Sequence, residues 1–375
     1  MFTEKGIKLL KPKGFFGMII PNYWLSTDSD KKLRKFIFAD NSAIEIINVY
    51  RVFTNATVDT LLLILQKSTA KSFPKKCKIL GINRLLKTIS ERLSALKNSQ
   101  WSFSKTYTVE FEKQDISISF SNDLQLKKGI PLADFFAFKF GMKPYEEGKG
   151  FPLQTRNMMQ KRVYDSKAKI DASYRPLLRA KNVKRYNLIW DNNWIKYGNN
   201  LAAPRDPNIF TGPRLLIRRI VSKNYIEGTY TKEPYICNTD VITLKPLTNT
   251  NKEMNILYFL GLILSRTCFS NLKSQNVNLD RAAFPKINAN TLEKFPVRVI
   301  NFSEPTDKAR HDQMVELVEQ MLALNKQLAE AKTPQSKTIL QRQIGATDWQ
   351  IDQLVYTLYG LTKKEIEIVE QSTGG

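Results

Sequence analysis

The sequence predicts a mixed α/β chain in three parts: an incomplete α/β sheet first, a β-rich α+β middle, and a helical C-terminal segment. Three observations carry this. Over the first 67 residues, apolar runs of strand length alternate with helical stretches. From Ile130 to about Arg298, short apolar runs are cut repeatedly by Gly, Pro, Asn and Asp. In the last 75 residues the apolar spacing becomes 3-4-3-4 at Met314, Leu317, Met321, Leu324 and Leu328, a seam of about two heptads.

Taken in order, Leu9-Leu10 end a short helix at Lys-Pro-Lys-Gly, and Phe15–Ile20 is a continuous apolar run of buried-strand type, stopped by Pro21. Ser26–Ala39 reads as one helix with Leu33, Phe36 and Ile37 inward and Lys31, Lys32, Arg34 and Lys35 outward. Two strands follow, Ala43–Val52 and Val58–Gln66, joined by Phe53-Thr-Asn-Ala. A sheet piece of this size cannot bury both faces and calls for a missing half. Residues 68–120 read as a connector with a helix (Ile79–Leu96, apolar at Leu85, Leu86, Ile89, Leu93 and Leu96) and a strand pair within Thr106–Phe120. The irregular β-rich part spans 121–300 and includes a helix over Met254–Leu272. In the segment 301–375 the apolar spacing resumes after Pro334 through Leu340, Ile344, Ile351, Leu354 and Leu358. Capping boxes Thr347-x-x-Gln350 and Thr362-x-x-Glu365 start the final helices. The 314–328 seam is too short for a free coiled coil and is expected to pack on the chain's own body.

Charge bounds the partners. The 375 residues carry a net charge of +23 with a single histidine, His311. Between Arg156 and Lys223 there are sixteen Lys/Arg and four Asp/Glu, interleaved with Tyr164, Tyr174, Tyr186, Trp190, Trp194 and Tyr225. Such a tract suits a phosphate backbone, because each neutralised phosphate releases condensed counterions. Cys77, Cys237 and Cys268 have no C-x-x-C spacing, so no zinc site is expected. No apolar leader and no run near the roughly 20 residues needed to span a bilayer is present. A soluble protein of a reducing, cytoplasmic compartment is the expectation. An aromatic content of 11% excludes an extensively disordered chain.

At finer grain the residues resemble a known family. Lys11-Pro-x-Gly14-Phe-x-Gly-Met-Ile-Ile-Pro21-x-x-Trp24, Leu33-Arg34-x-Phe36, Val52-Phe53-x-x-Ala56-x-Val58 and Ile64-x-x-Lys67 resemble the C-terminal portion of an adenine-N6 DNA methyltransferase catalytic domain. Five further stretches resemble the TaqI-type specificity domain of methyltransferases and restriction-modification proteins. They are Gly129-Ile-Pro-Leu-Ala-Asp-Phe-Phe136, Tyr174-Arg-Pro-Leu-Leu-Arg179-Ala-Lys-Asn-Val-Lys-Arg-Tyr186, Tyr197-Gly198, Phe210-x-Gly-Pro-Arg214-Leu-Leu-Ile-Arg218-Arg219 and Leu292-Glu-Lys-Phe-Pro296-Val. Ile351-Asp-x-Leu-Val355-Tyr-x-Leu-Tyr359-Gly-Leu-Thr-x-x-Glu365-Ile is similar to a common ending there.

The resemblance implies a Rossmann-like partial methyltransferase sheet over 1–67, a DNA target-recognition domain over 121–300, duplex DNA as partner, and S-adenosylmethionine as cofactor of the complete enzyme. The chain departs from the pattern. It contains no Pro-Pro dipeptide, so the Asn/Asp-Pro-Pro-aromatic tetrapeptide and the cofactor loop before it are missing. No catalytic, cofactor-binding or metal-binding residue is therefore assigned, methylation by this chain alone is not expected, and an N-terminal methyltransferase half is the expected partner.

The resemblance maps a base-stacking aromatic onto Phe53, which would hold an adenine extruded from the duplex. The bland reading is a buried hairpin residue, with Asn55 and Thr57 as neighbours. Chemistry directs attention to a cluster around one turn, Arg175, Arg179, Lys181, Asn182, Lys184 and Arg185, since Arg, Lys and Asn can read base edges or grip phosphate. The bland reading there is a solvated basic loop. Lys161, Arg162, Lys167, Lys169, Lys196 and Arg205 are generic phosphate candidates, and Arg214 is a further DNA-binding candidate. Arg218 and Arg219 follow the strand Leu215–Ile217 and alternate in direction, so at most one faces DNA. Trp190 and Trp194 read as core, and Ser274–Asp280 is an amide-rich candidate contact. Two other functions use the same features: an RNA or general nucleic-acid binder, and a protein-interaction subunit relying on the 314–328 seam and the sheet edge. A nuclease is disfavoured, as no acidic-acidic-Lys cluster stands out.

Overall fold

The computed structural model describes residues 2–25, 27–50, 52–53, 58–67, 75–83, 86, 88–109, 124, 126, 129–221, 225–248, 253–275, 279 and 285–374. It divides into two compact units, Met1–Asp123 with Lys273–Pro285, and Leu124–Leu272 with Lys286–Gly375.

The first unit runs α1 (Phe2–Leu9), β1 (Phe15–Pro21), α2 (Lys31–Lys35), β2 (Ser42–Tyr50), β3 (Thr60–Gln66), β4 (Lys75–Gly81), α3 (Ile89–Lys97) and β5 (Phe103–Val109). Its strands form one sheet in the order β1-β3-β2-β4-β5. β2 and β4 are parallel and the other neighbours antiparallel. Sheet membership thus continues past residue 67 into the segment read as a connector.

One sheet face is closed. Leu61, Leu63 and Leu65 of β3 join Ile7, Ile20, Trp24, Ile37, Phe38 and Ile46 in a single core. The opposite face is covered over β2 and β4, where Ile47, Val49, Leu80 and Ile82 pack with Ala95 of α3. Over β1 that face stays open. The apolar run Phe15–Ile20 predicts burial on both faces, but β1 is an edge strand whose Phe15 and Ile19 are 64% and 42% exposed.

The helix expected over Ser26–Ala39 is broken. Two 3-10 turns, Tyr23–Leu25 and Asp28–Asp30, precede α2, and a π turn, Phe36–Asp40, follows it. Such breaks leave carbonyls without helical partners. Arg34, read as outward, is buried for that reason: its Nη1 donates to the carbonyls of Trp24 (2.7 Å) and Thr27 (2.5 Å). The helix read from Ile79 to Leu96 starts only at Ile89, because Cys77 and Ile79 alternate with lysines and enter the sheet as β4. Thr88 and Glu91 form the capping box that starts α3. Leu85 and the second expected strand at 116–120 lie outside the described residues.

The second unit comprises β6 (Ile130–Pro131), β7 (Phe136–Phe140), α4 (Arg156–Lys161), β8 (Asp165–Ser166), β9 (Tyr174–Leu178), β10 (Val183–Lys184), β11 (Asn187–Leu188), β12 (Trp194–Lys196), β13 (Arg214–Arg218), β14 (Gly228–Thr231), β15 (Ile236–Cys237), β16 (Val241–Pro246), α5 (Ile256–Leu264), α6 (Arg266–Gln275), α7 (Ala289–Glu293), β17 (Pro296–Val297), α8 (Pro305–Glu330), α9 (Pro334–Tyr359) and α10 (Lys363–Thr373). Two four-stranded sheets carry it, β15-β9-β12-β8 and β14-β13-β16-β7, with the pairs β10-β11 and β17-β6 beside them. Met142, Leu177, Leu178, Ile195, Phe210, Leu216 and Val241 form a core shared by both larger sheets.

α5 is buried from Leu257 to Leu264 and packs against β13, β14 and α8. Gly261 permits this, since a Cβ there would lie 2.4 Å from Met314 Sδ and 3.0 Å from Val318 Cγ2. The seam residues Met314, Leu317, Met321 and Leu324 are accordingly buried against the chain itself. The single helix expected over Met254–Leu272 is two helices, α5 and α6, divided at Ser265, whose Oγ donates to Leu262 O (2.7 Å) and accepts the Cys268 N–H (3.2 Å). Thr362 and Glu365 form their capping box, but Thr347 sits inside α9, which starts instead at Thr333 with Pro334 following.

α9 also supplies Asp348 and Asp352 to the α5–α6 break. Asp352 Oδ1 accepts the Arg266 N–H at 2.9 Å, and its Oδ2 lies 3.2 Å from Arg266 Nε. Burial, joined by Asp348, raises its carboxyl to about 6, against the pull of Arg266 and Arg185. The unfolded value is about 3.9. The folded chain therefore holds this proton more tightly, and the associated stability is complete below about pH 4 and lost as pH rises through about 6. Asp352→Asn keeps an acceptor for Arg266 and should flatten this loss, melting higher relative to wild type at about pH 7 than at about pH 4.5. A wild-type-to-variant difference that stays constant across that range rules the assignment out.

Candidate nucleic-acid interface

The basic tract lies in the second unit, and its cations fall into two populations. The turn expected at 175–185 is present: β9 leads through a 3-10 turn, Ala180–Asn182, into β10. Asn182 is buried within it, its amide donating to Ile189 O (2.8 Å) and Asp191 Oδ1 (3.1 Å) while its oxygen accepts the Arg179 N–H (2.8 Å). Asp191 gathers the turn, with Lys181 Nζ 2.7 Å from its Oδ2. Burial pushes that carboxyl up, but hydrogen bonds from Lys181 and Asn182 outweigh it and leave it at about 2. Arg179 is half-buried and paired with Asp165, which also holds Arg162 Nε at 2.7 Å and the Tyr145 hydroxyl at 3.2 Å.

Arg185 points inward. It donates to the Leu264 carbonyl and to Asp348, with its guanidinium 5.2 and 5.7 Å from the Tyr186 and Tyr225 ring centres. Burial works against its charge, but Asp348, joined by Tyr186 and Asp352, outweighs it, so the group stays above its ordinary value. Arg214 is 0% exposed and donates to the carbonyls of Gly212 (2.9 Å), Glu233 and Tyr235 (3.4 Å), with burial lowering its pKa. The reading of Asn182, Arg185 and Arg214 as DNA-facing is thereby corrected: buried carbonyls and carboxylates need donors, and these side chains supply them.

Arg218 and Arg219 leave β13 as alternation predicts, but both have partners in the fold. Arg218 pairs with Glu227, and Arg219 lies over the Phe140 ring at 4.9 Å with Nη1 3.4 Å from Thr239 O. Arg175, Lys196 and Arg205 are exposed and Lys184 is half-buried; none has an ion pair among the described residues. Arg175 donates only to nearby carbonyls, that of Ala172 at 2.6 Å foremost. Trp190 packs edge-on to Trp194 at 5.2 Å; both are half-buried, and Trp190 lies against the shared core. The amide-rich candidate at 274–280 lies mostly outside the described residues.

In the first unit, Phe53 follows β2 beyond an irregularity in the β2–β3 register between Asn48 and Tyr50. Tyr50 is left-handed, φ 54°, and its carbonyl accepts the Thr60 hydroxyl at 2.7 Å. Bulges of this kind re-aim the chain at a sheet rim. Val52 packs against the β2–β4 core, while Phe53 is 53% exposed and is no buried hairpin residue. Asn55 and Thr57 lie outside the described residues.

Among the described residues no cluster of His, Cys, Asp and Glu is placed to hold a metal ion, and no helix is long and apolar enough to cross a membrane. All three thiols are buried, and burial raises those of Cys77 and Cys237 to about 12. His311 is structural. It accepts the Asn255 N–H at Nε2 (3.0 Å), approaches Asp312 through Nδ1 (2.9 Å), and packs between Tyr258 and Phe302.

Residues 175–297 match the TaqI-like C-terminal specificity domain, and residues 1–53 match the Eco57I restriction-modification methylase. The chain carries a TaqI-like specificity domain. It is 21% identical over 435 residues to the type II restriction enzyme and methyltransferase RM.Eco57I of Escherichia coli, an alignment covering 98% of this chain and 43% of that protein. Among solved structures it is similar to the type IIL restriction-modification enzyme MmeI in complex with DNA (TM-score 0.49, 11% identity, 96% of this chain and 50% of that one). It is also similar to the DrdV–DNA complex (TM-score 0.48, 11% identity, 86% and 39%). The chain spans half or less of the length of each. Arg175, Lys184, Lys196 and Arg205, like the interior Arg185 and Arg214, lie within the matched residues 175–297.

Stability separates the two populations. Arg185→Ala should cost about 1–3 kcal/mol, because it leaves the Leu264 carbonyl without its donor and the half-buried Asp348 without its counter-ion. Asn182→Ala should cost about 1–3 kcal/mol. Arg175→Ala and Arg205→Ala should stay within about 0.5 kcal/mol of wild type. Urea unfolding of the four variants decides, and a cost of about 2 kcal/mol or more for Arg205→Ala would contradict its placement.

Proposed function

We propose that the specificity domain recognises duplex DNA by sequence on behalf of a restriction-modification enzyme that methylates adenine at N6. The observation that carries this reading is the second population of cations: Arg175, Lys184, Lys196 and Arg205 fall inside the matched region and make no ion pair among the described residues. A polyanion supplies what they lack, and phosphate contacts of this kind fix register while a few side chains read base edges.

Residues 1–67 are proposed to complete a Rossmann-like methyltransferase sheet whose remainder comes from an N-terminal half. The uncovered face of β1, with Phe15 and Ile19 outward, supports this. Phe53 is proposed to stack on the extruded adenine, and its exposure beyond the bulge supports that role. S-adenosylmethionine belongs to the complete enzyme. The sequence lacks the loop and the tetrapeptide that would hold it, so no residue of this chain is assigned to it and no chemical step is drawn. The protein-interaction alternative loses its main surface, since the 314–328 seam is buried in the chain's own body.

Selection from a pool of random duplexes at two salt concentrations tests the reading. A short enriched motif containing adenine is expected, with affinity falling steeply as salt rises. Lys196→Ala and Arg205→Ala should each reduce the salt slope by about 1 and leave the motif unchanged. Phe53→Ala should weaken binding by about 1–3 kcal/mol to a duplex whose target adenine is mispaired or extruded, with less effect on the paired duplex. Preference for single strands or A-form RNA over every duplex in the pool would overturn the proposal.

A further inference from the structure

We propose that the loop over residues 147–154 is an apolar wedge that enters the base stack of duplex DNA, with Phe151 at its tip and Leu153 beside it. This rests on the reading of the specificity domain as a DNA-binding module. It concerns a segment that precedes the matched region 175–297.

Phe151 is 81% exposed and Leu153 66% exposed. A single exposed apolar side chain is ordinary. What distinguishes this pair is the scaffold that holds it out. Gln154, next in the chain, is buried, and its side chain is fully engaged. Nε2 donates to Pro144 O (3.0 Å) and Asn200 O (2.7 Å), and Oε1 accepts the Glu146 N–H (2.9 Å). The backbone closes the loop on itself through Gly148 N–H to Gln154 O (3.0 Å) and Gln154 N–H to Lys149 O (2.9 Å). It is latched outward by Phe151 N–H to Asn199 O (2.8 Å). Gly150 makes the latch possible: its φ is +79°, and a Cβ there would lie 2.5 Å from the Asn200 carbonyl oxygen. A buried, saturated polar side chain under two solvent-facing apolar ones is a preorganised projection.

Its surroundings say what it meets. The turn that receives the latch carries Lys196, whose carbonyl accepts the Asn200 amide at 3.0 Å, and Tyr197, whose hydroxyl bonds the Arg205 backbone. On the other side the loop runs through Thr155, the N-cap of α4, to the exposed Arg156. From 143 to 170 there are seven Lys/Arg and three acids. Glu146 is paired with Lys143 (3.0 Å) and Asp165 with Arg162 and Arg179, which leaves Glu147 as the acid without an ion pair among the described residues. An apolar tip on a loop that carries Lys149 and leads to Arg156, latched to the turn that carries Lys196, has the make-up of side chains that unstack a base step while cations hold the phosphates on either side. The same cations disfavour a basic or apolar protein as occupant.

The test uses the full chain and duplexes of about 30 base pairs retained from the random pool, or the pool itself where no sequence is enriched, with 2-aminopurine scanned along one strand. Wild type should raise 2-aminopurine fluorescence at one step. Phe151→Ala should abolish that rise and weaken binding about 5- to 100-fold with the salt slope unchanged. Leu153→Ala should give a smaller loss, and Phe151→Trp should restore the signal. Thermal melts of all variants should match wild type, as the replaced side chains are solvent-facing. Wild-type affinity and an undiminished fluorescence rise in Phe151→Ala overturn the wedge and leave DNA recognition standing. Failure of the wild-type chain to bind any duplex at low salt overturns DNA recognition itself, and the wedge with it.

Discussion

The second unit depends on how the chain breaks between α5 and α6. A helix end leaves carbonyls and N–H groups without partners, and burying such an end unsatisfied is costly. Here the end is buried, because α5 is the helix on which β13, β14 and α8 all pack. Arg185 comes from the basic turn to take the Leu264 carbonyl, a cation at the negative end of a helix. Asp352 comes from α9 to take the Arg266 N–H at the start of α6, and Asp348 holds Arg185 in place. One charged cluster thus ties the β-rich body to the helical segment. A partly buried ion pair of this kind contributes little to net stability beside an apolar alternative, but removing one partner leaves the other short of its donor or counter-ion. Its value lies in fixing which surfaces meet.

That cluster also explains why a basic tract is a poor guide to a binding surface. Arginine and lysine in the tract answer two demands that look alike in sequence. Arg185, Arg214 and Asn182 satisfy backbone carbonyls inside a fold built from short strands and turns, where regular ladders leave many acceptors unfilled. Arg175, Lys196 and Arg205 stand in solvent. The arithmetic of charge is the same for both groups, and desolvation separates them.

In the first unit the constraint is a sheet with one closed face. Breaking the expected Ser26–Ala39 helix into short turns lets Ile37 and Phe38 reach the core of Leu61, Leu63 and Leu65, at the cost of carbonyls that Arg34 must satisfy. At the rim, the Asn48–Tyr50 irregularity turns the chain so that Val52 stays with the core and Phe53 does not.

By itself the sequence determined those features whose signal is local. The strand run Phe15–Ile20, the β2–β3 pair, the Thr362 capping box and the 3-4-3-4 seam each follow from the spacing of neighbouring residues, and the order of short motifs pointed to the specificity domain. What only the tertiary structure decided was burial. Whether β1 has a covered second face depends on which strand or helix lies beside it, and the run Phe-Phe-Gly-Met-Ile-Ile reads the same either way. Whether Ile79 opens a helix or lies within a strand depends on β2 being there to pair with it. Arg185 differs from Arg175 only in having a helix end and two carboxylates within reach, brought there by residues some 80 and 160 positions away. Phe151 carried no periodic signal at all, and its exposure was set by a distant turn, through the carbonyls of Asn199 and Asn200. Local spacing encodes which element forms, whereas the solvation of each side chain is a property of the partners that folding brings to it.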